Sequence, residues 1–125
     1  MTHQVFIKLK NDFPVSDAEL IEIIDTALSK RGKKGKFVEL WVVGKKRMRT
    51  LNREFMHKDC PTDVLSFPLE SIPAENKLNL ELIGTIVVCN DIISSYAKES
   101  GNSFIDETSK LVSHGVDHLL GIHHK

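Results

Sequence analysis

The stretch Phe37-Val38-Glu39-Leu40-Trp41-Val42-Val43-Gly44-Lys45-Lys46-Arg47-Met48-Arg49-Thr50-Leu51-Asn52-Arg53-Glu54-Phe55-Met56 changes its periodicity at Gly44. Before the glycine the residues are β-branched, aromatic or aliphatic, which is the composition of a strand. After it, Met48, Leu51, Asn52 and Phe55 recur at helical spacing, predicting a helix over about 45–56 with those four on one face. A strand leading directly into a helix calls for a fold that uses both elements.

The same alternation of element types extends outward in both directions. Residues 4–10 alternate as a strand, and Asn11-Asp12 and Pro14 break it. Ser16 followed by Glu19 has the form of a capping box, and Leu20, Ile21, Ile24, Ala27 and Leu28 continue as a helix over about 16–30, ended by Gly32 and Gly35. On the other side, Pro61 precedes a short apolar strand, Asp63 to Phe67. Residues 68–80 hold two prolines and Asn76 and should be loop. Glu81 to Cys89 reads as a strand in which Gly84 marks a bulge or a close approach. Asn90 or Asp91 can cap a helix to about Ser100. A last helix is expected from about Asp106 to Leu120, with Leu111, Val112, Gly115, His118 and Leu119 on or near its inner face. The expected fold class is α+β: a small mixed four-stranded sheet packed by about four to five helices, in one domain over residues 1–125.

Composition narrows the function classes. The chain has 125 residues, 17 basic and 17 acidic side chains, 41% apolar and 27% charged residues. This suits one globular domain and excludes wholesale disorder. No apolar run approaches the roughly 20 residues of a spanning helix, and the first residues lack the form of a secretory signal. Cys60 and Cys89 form no C-x-x-C pair and read as two thiols, which fits a reducing cytoplasm. Zero net charge hides an asymmetry: residues 1–62 hold 13 Lys/Arg against 8 Asp/Glu, and residues 63–125 hold 4 against 9. The basic residues cluster at Lys30–Lys36 and Lys45–Arg49. Each cluster is either a phosphate-binding patch or, respectively, a solvated turn and the exposed face of a helix.

The chemistry concentrates near the C-terminus, in His114-Gly115-Val116-Asp117-His118-Leu119-Leu120-Gly121-Ile122-His123-His124. Residues four apart share a helix face, so His114 and His118 can bind one ion together. Gly121 can end the helix and let the chain reverse, which brings His123 or His124 back to the same point. Three imidazoles with an open fourth position make a catalytic zinc geometry. A metzincin-type protease, H-E-x-x-H-x-x-G-x-x-H, shares this spacing but needs a glutamate after the first histidine as general base. Gly115 stands there. Asp117, about 60° away around the helix, can approach the metal only from the side.

The histidine segment resembles the signature of the YbeY family of bacterial endoribonucleases, H-G-x-L-H-L-x-G-Y-D-H. A second block, Leu51 to Phe55 with Lys58-Asp59-Cys60-Pro61-Thr62-Asp63-Val64-Leu65-Ser66-Phe67-Pro68, is similar to the family's helix-to-strand segment with its T-D/N-V-L-S-F core. Leu82 to Val88 is a third, weaker match. The resemblance implies a cytoplasmic, zinc-dependent, single-strand-specific endoribonuclease acting in ribosomal RNA maturation and ribosome quality control. It implies one zinc ion on His114, His118 and His124, with His123 the alternative third ligand. The implied partners are RNA, small-subunit ribosomal RNA or the ribosome, and no membrane. Met56 occupies the position of a family arginine, so Arg53 and Lys58 are the candidate phosphate-binding cations. Asp63 either orients a ligand histidine or caps a strand end. Asp117 replaces an apolar residue of the family pattern, Thr85 stands where aspartate is common, and the stop at Lys125 suggests a C-terminally truncated chain. Two other functions fit the same residues: a metzincin-like metalloprotease, and a noncatalytic ribosome-associated binding module.

Overall fold

In the computed structural model, residues 5–8, 14–33, 36–68 and 82–121 are described. The elements run β1 (Val5–Lys8), α1 (Asp17–Lys30), β2 (Phe37–Val43), α2 (Lys45–Met56), β3 (Val64–Pro68), β4 (Leu82–Cys89), α3 (Asn90–Ser100) and α4 (Phe104–Leu119). They make an α+β fold around one sheet of order β1-β2-β4-β3. The sheet is mixed: β1 pairs parallel with β2 and β2 with β4, while β3 runs antiparallel to β4.

The central strands are apolar on both faces because both faces are covered. Val38, Leu40 and Val42 of β2, with Ile86 and Val88 of β4, point to one side and pack against Leu20, Ile24 and Leu28 of α1 and Leu111, Val112 and Val116 of α4. The alternate residues Val43, Val87 and Cys89 point to the other side, where Met48 of α2 meets Leu65 of β3. The sheet therefore separates α2 from α1 and α4.

Local chemistry sets several boundaries. Ser16 and Glu19 form the expected capping box, the Glu19 amide donating to Ser16 Oγ at 3.2 Å and the Ser16 amide to Glu19 Oε1 at 3.1 Å. The last helix starts two residues earlier than its apolar pattern indicates, because Ser103 caps it by accepting from the Asp106 amide at 3.1 Å. Neither Asn90 nor Asp91 caps α3, whose N-cap is Cys89 with no side-chain bond. Asp91 instead accepts the Lys45 amide at 2.7 Å. It thereby serves the first turn of α2, where the capping residue Gly44 has no side chain to offer.

Candidate active site

Helix α4 carries the two histidines, and its inner face dictates where they point. Leu111, Val112, Gly115 and Val116 are buried while His114 and His118 are exposed. His118 therefore lies outside the packed face on which the apolar pattern had grouped it. The two imidazole rings stand 4.6 Å apart, centroid to centroid. That is the one-turn pairing expected of residues four apart, close enough for both rings to serve one ion. The imidazole donor set suits zinc. Among the described residues no third His, Cys, Asp or Glu joins the pair in a metal-binding group; His123 and His124 lie outside the described residues. Gly121 ends the helix with φ +75, its amide donating to the His118 carbonyl at 3.1 Å. Only a residue without Cβ takes that conformation freely.

Gly115 explains why the glutamate of a metzincin cannot stand after His114. A Cβ built there lies 3.0–3.2 Å from three atoms of the Ile86 side chain. The position faces β4, so a longer side chain would drive into the core instead of toward the histidine rings.

Asp117 does not approach the histidines from the side. It is 6% exposed and ion-paired with the Nε of Arg31 at the end of α1. The same guanidinium donates to the Ala27 carbonyl at 2.8 Å and the Ser113 carbonyl at 3.4 Å. Thus one member of the first basic cluster is not a solvated turn cation but a tie between α1 and α4. Sequence spacing alone hides this contact, because the partners are 86 residues apart.

The candidate phosphate-binding cations sit at the far end of α2. Arg53 and Lys58 are exposed. Arg53 Nη1 lies 3.6 Å from Asp59 Oδ1, and Arg49 makes a two-pronged contact with the same carboxylate at 2.9 and 3.1 Å. The Arg49 hydrogen bonds hold the Asp59 carboxyl below the usual range, and Asp59 in turn raises the Arg49 guanidinium. His57 closes the helix in the left-handed region at φ 60, a role that no glycine or asparagine announces in the sequence. Beyond it, the Lys58 amide donates to the Asn52 carbonyl at 3.3 Å. The buried Asn52 amide donates to the Cys60 carbonyl at 2.8 Å, so the turn carrying Lys58 is pinned at both ends.

Asp63 holds the start of β3. Its carboxylate accepts the Val64 amide at 2.8 Å and the Thr62 hydroxyl at 3.3 Å on Oδ1, and the Tyr96 hydroxyl at 3.3 Å on Oδ2. These bonds are those of a strand-end cap. Partial burial, reinforced by the charge of Asp63, raises the Tyr96 phenol.

The two ends of the site meet through β3 and β4. Gly84 has φ +154, and a Cβ there would fall 2.5 Å from the Phe67 carbonyl oxygen and 2.6 Å from Leu119 Cδ2. Leu119 is next to His118, so the histidine end of α4 rests on the strand pair at Gly84. On the opposite side of that edge, Phe67 meets Phe55 of α2 edge-on, with ring centroids 5.3 Å apart. Phe55 of α2 and Leu119 of α4 are thus linked through Phe67 and Gly84.

These features define an α+β protein with a helix-borne histidine pair on one face of the sheet and a basic helix on the other. The family model for Endoribonuclease YbeY matches residues 6–125, and the chain belongs to that family of nucleases, which are phosphodiester hydrolases. It is 43% identical over 93% of its length to an endoribonuclease YbeY from Nitratiruptor sp., covering 73% of that protein. It is 32% identical over 98% of its length to one from Aquifex aeolicus, covering 79% of it. Among solved structures it is similar to a solution structure of a Thermotoga maritima protein, with a TM-score of 0.60 and 27% identity over 98% of this chain and 75% of that one.

Proposed function

We propose that this chain is a single-domain, zinc-dependent endoribonuclease that cuts single-stranded RNA during ribosomal RNA maturation and ribosome quality control in the cytoplasm. The observation that carries the reading is the exposed His114–His118 pair, 4.6 Å between rings, in a chain of the Endoribonuclease YbeY family. In this reading His114, His118 and His124 hold one zinc ion, with His123 as the alternative third ligand. Bound zinc supplies Lewis-acid polarisation of a phosphoryl oxygen and a water of lowered pKa.

The remaining work falls to the chain's own side chains. Arg53 and Lys58 neutralise backbone phosphates of the bound strand. Both side chains are exposed, Arg53 in the last turn of α2 and Lys58 on the pinned turn after it, so they can reach a flexible strand. Single-stranded RNA is the favoured substrate because a splayed backbone can follow the edge from α2 to α4, whereas the phosphates of a duplex are fixed on an A-form helix. Asp63 acts as a structural cap in this scheme, since its carboxylate already accepts three hydrogen bonds.

A noncatalytic ribosome-binding module is the second reading, favoured by Met56. That residue is 51% exposed at the end of α2, where the family pattern has an arginine. Cleavage of a single-stranded RNA by the purified protein, beside His118→Ala and a chelated sample, separates the two. Cutting by the metal-loaded wild type alone supports the nuclease. Binding that survives chelation, with no cutting in any sample, replaces it with the module.

A further inference from the structure

Phe55 is out of place for a core residue. It continues the apolar stripe of Met48, Leu51 and Asn52 on α2, and sequence periodicity puts it on the packed face. The sheet ends at β3, however, and the ring overhangs that edge with 58% of its surface in water. Burying a phenylalanine side chain favours folding, and most of that gain is forgone here. The ring is nevertheless held in place, because its edge-on contact with Phe67 at 5.3 Å and 68° constrains its orientation.

Its surroundings say what would cover it. Helix α2 presents Lys45, Lys46, Arg47, Arg49 and Arg53 to solvent with one acid of its own, Glu54; Asp59 beyond the helix pairs with Arg49 and Arg53, and exposed Lys58 follows two residues after the helix. An exposed aromatic ring at the end of a cationic helix is the pairing that binds single-stranded nucleic acid: cations track phosphates while a ring receives a base. A protein partner with an apolar anchor would meet a helix whose cations outnumber its acids. We infer that Phe55 is a base-stacking residue, receiving one unpaired base of a single-stranded RNA whose phosphates follow the cations of α2 and Lys58. The inference rests on the nuclease reading and adds to it a binding subsite on the far side of the β3 edge from the histidines.

The test is binding of a fluorescently labelled single-stranded decadeoxyadenylate by anisotropy, together with kcat and KM for cleavage of the matching RNA. Deoxyadenylate keeps the base and phosphates while withholding the ribose hydroxyl. Phe55→Leu keeps an apolar contact to Phe67 but removes the aromatic face. Its expected effect is about a tenfold loss of affinity and a similar rise in KM, with kcat nearly unchanged. Phe55→Trp is expected to restore or improve binding. The slope of affinity against salt stays at the wild-type value in both variants, whereas Arg53→Gln lowers it by about one.

Wild-type affinity in Phe55→Leu overturns the subsite while leaving the nuclease reading intact. So does Phe55→Trp binding no better than Phe55→Leu. Unchanged oligonucleotide binding with lost self-association in sedimentation assigns the patch to a protein contact instead. If the wild type cuts no RNA and binds no strand, the nuclease reading falls and the subsite falls with it.

Discussion

Arg31 and Asp117 join the end of α1 to the turn of α4 that lies between the two histidines. Asp117 is flanked by His118 and lies three residues after His114, yet its side chain points inward to the guanidinium. The pair fixes the rotation of α4 about its axis, and that rotation keeps the histidines outward. A buried ion pair depends on both members, since losing one strands the other charge in a poorly solvated site. Because the Arg31 side chain is 18% exposed and Asp117 8%, Asp117→Leu alone is expected to cost about 2–4 kcal/mol. Arg31→Met with Asp117→Leu should recover most of that loss. Urea denaturation of the two single variants and the double variant measures the coupling.

Zinc should stabilise the folded protein by mass action. At a free concentration of one hundred dissociation constants the gain is about 2.7 kcal/mol. A rise in Tm on adding zinc to chelator-stripped protein, absent in His118→Ala, is the expected result. Because His118 is exposed, the stripped variant should melt within about 0.5 kcal/mol of the stripped wild type. Calorimetry with and without zinc reads both quantities.

Gly84→Ala is expected to be among the most damaging small substitutions. The backbone there has positive φ, and the nearest obstacle to a Cβ is the Phe67 carbonyl oxygen, which cannot swing aside. A loss of about 3 kcal/mol or more follows from combined strain and overpacking. The second obstacle is Leu119, so zinc affinity should weaken along with stability. Chemical denaturation and zinc titration of the purified variant test this together.

Glu107 makes stability depend on acid. The carboxylate is buried and accepts from Asn102 at 3.0 Å and Ser100 at 2.9 Å, with Lys110 at 3.4 Å. The hydrogen bonds from Asn102, then Ser100, hold it below the ordinary carboxylate range. A depressed folded-state value means that its contribution is complete above the unfolded value and is lost as pH falls through the folded one. Melting temperatures recorded between about pH 6 and pH 3 should fall more steeply for the wild type than for Glu107→Gln.

Much of the site could be read from local pattern. His114 and His118 share a face because of spacing alone, and the strand–helix change at Gly44 falls where it was read. The Ser16–Glu19 box needs only four residues of chain. Other features eluded the sequence because each depends on a distant partner. Asp117 looked like a defect in an apolar position until Arg31 arrived from 86 residues away. Phe55 shares a helix face with buried Met48 and Asn52 yet is exposed, because periodicity reports a helix face but not where the sheet beneath it ends.

The sequence by itself determined the elements, the two-sided apolar character of β2 and β4, and the four-residue spacing of the histidines. These are consequences of side-chain periodicity and turn chemistry, which act within a few residues. Only the tertiary structure decided that Asp91 of α3 serves the first turn of α2, that Asp117 turns inward to Arg31, and that Phe55 is left at the sheet's edge. Each outcome is fixed by which surfaces meet when strands distant in sequence pair, and polar groups are satisfied by whichever partner packing brings within reach.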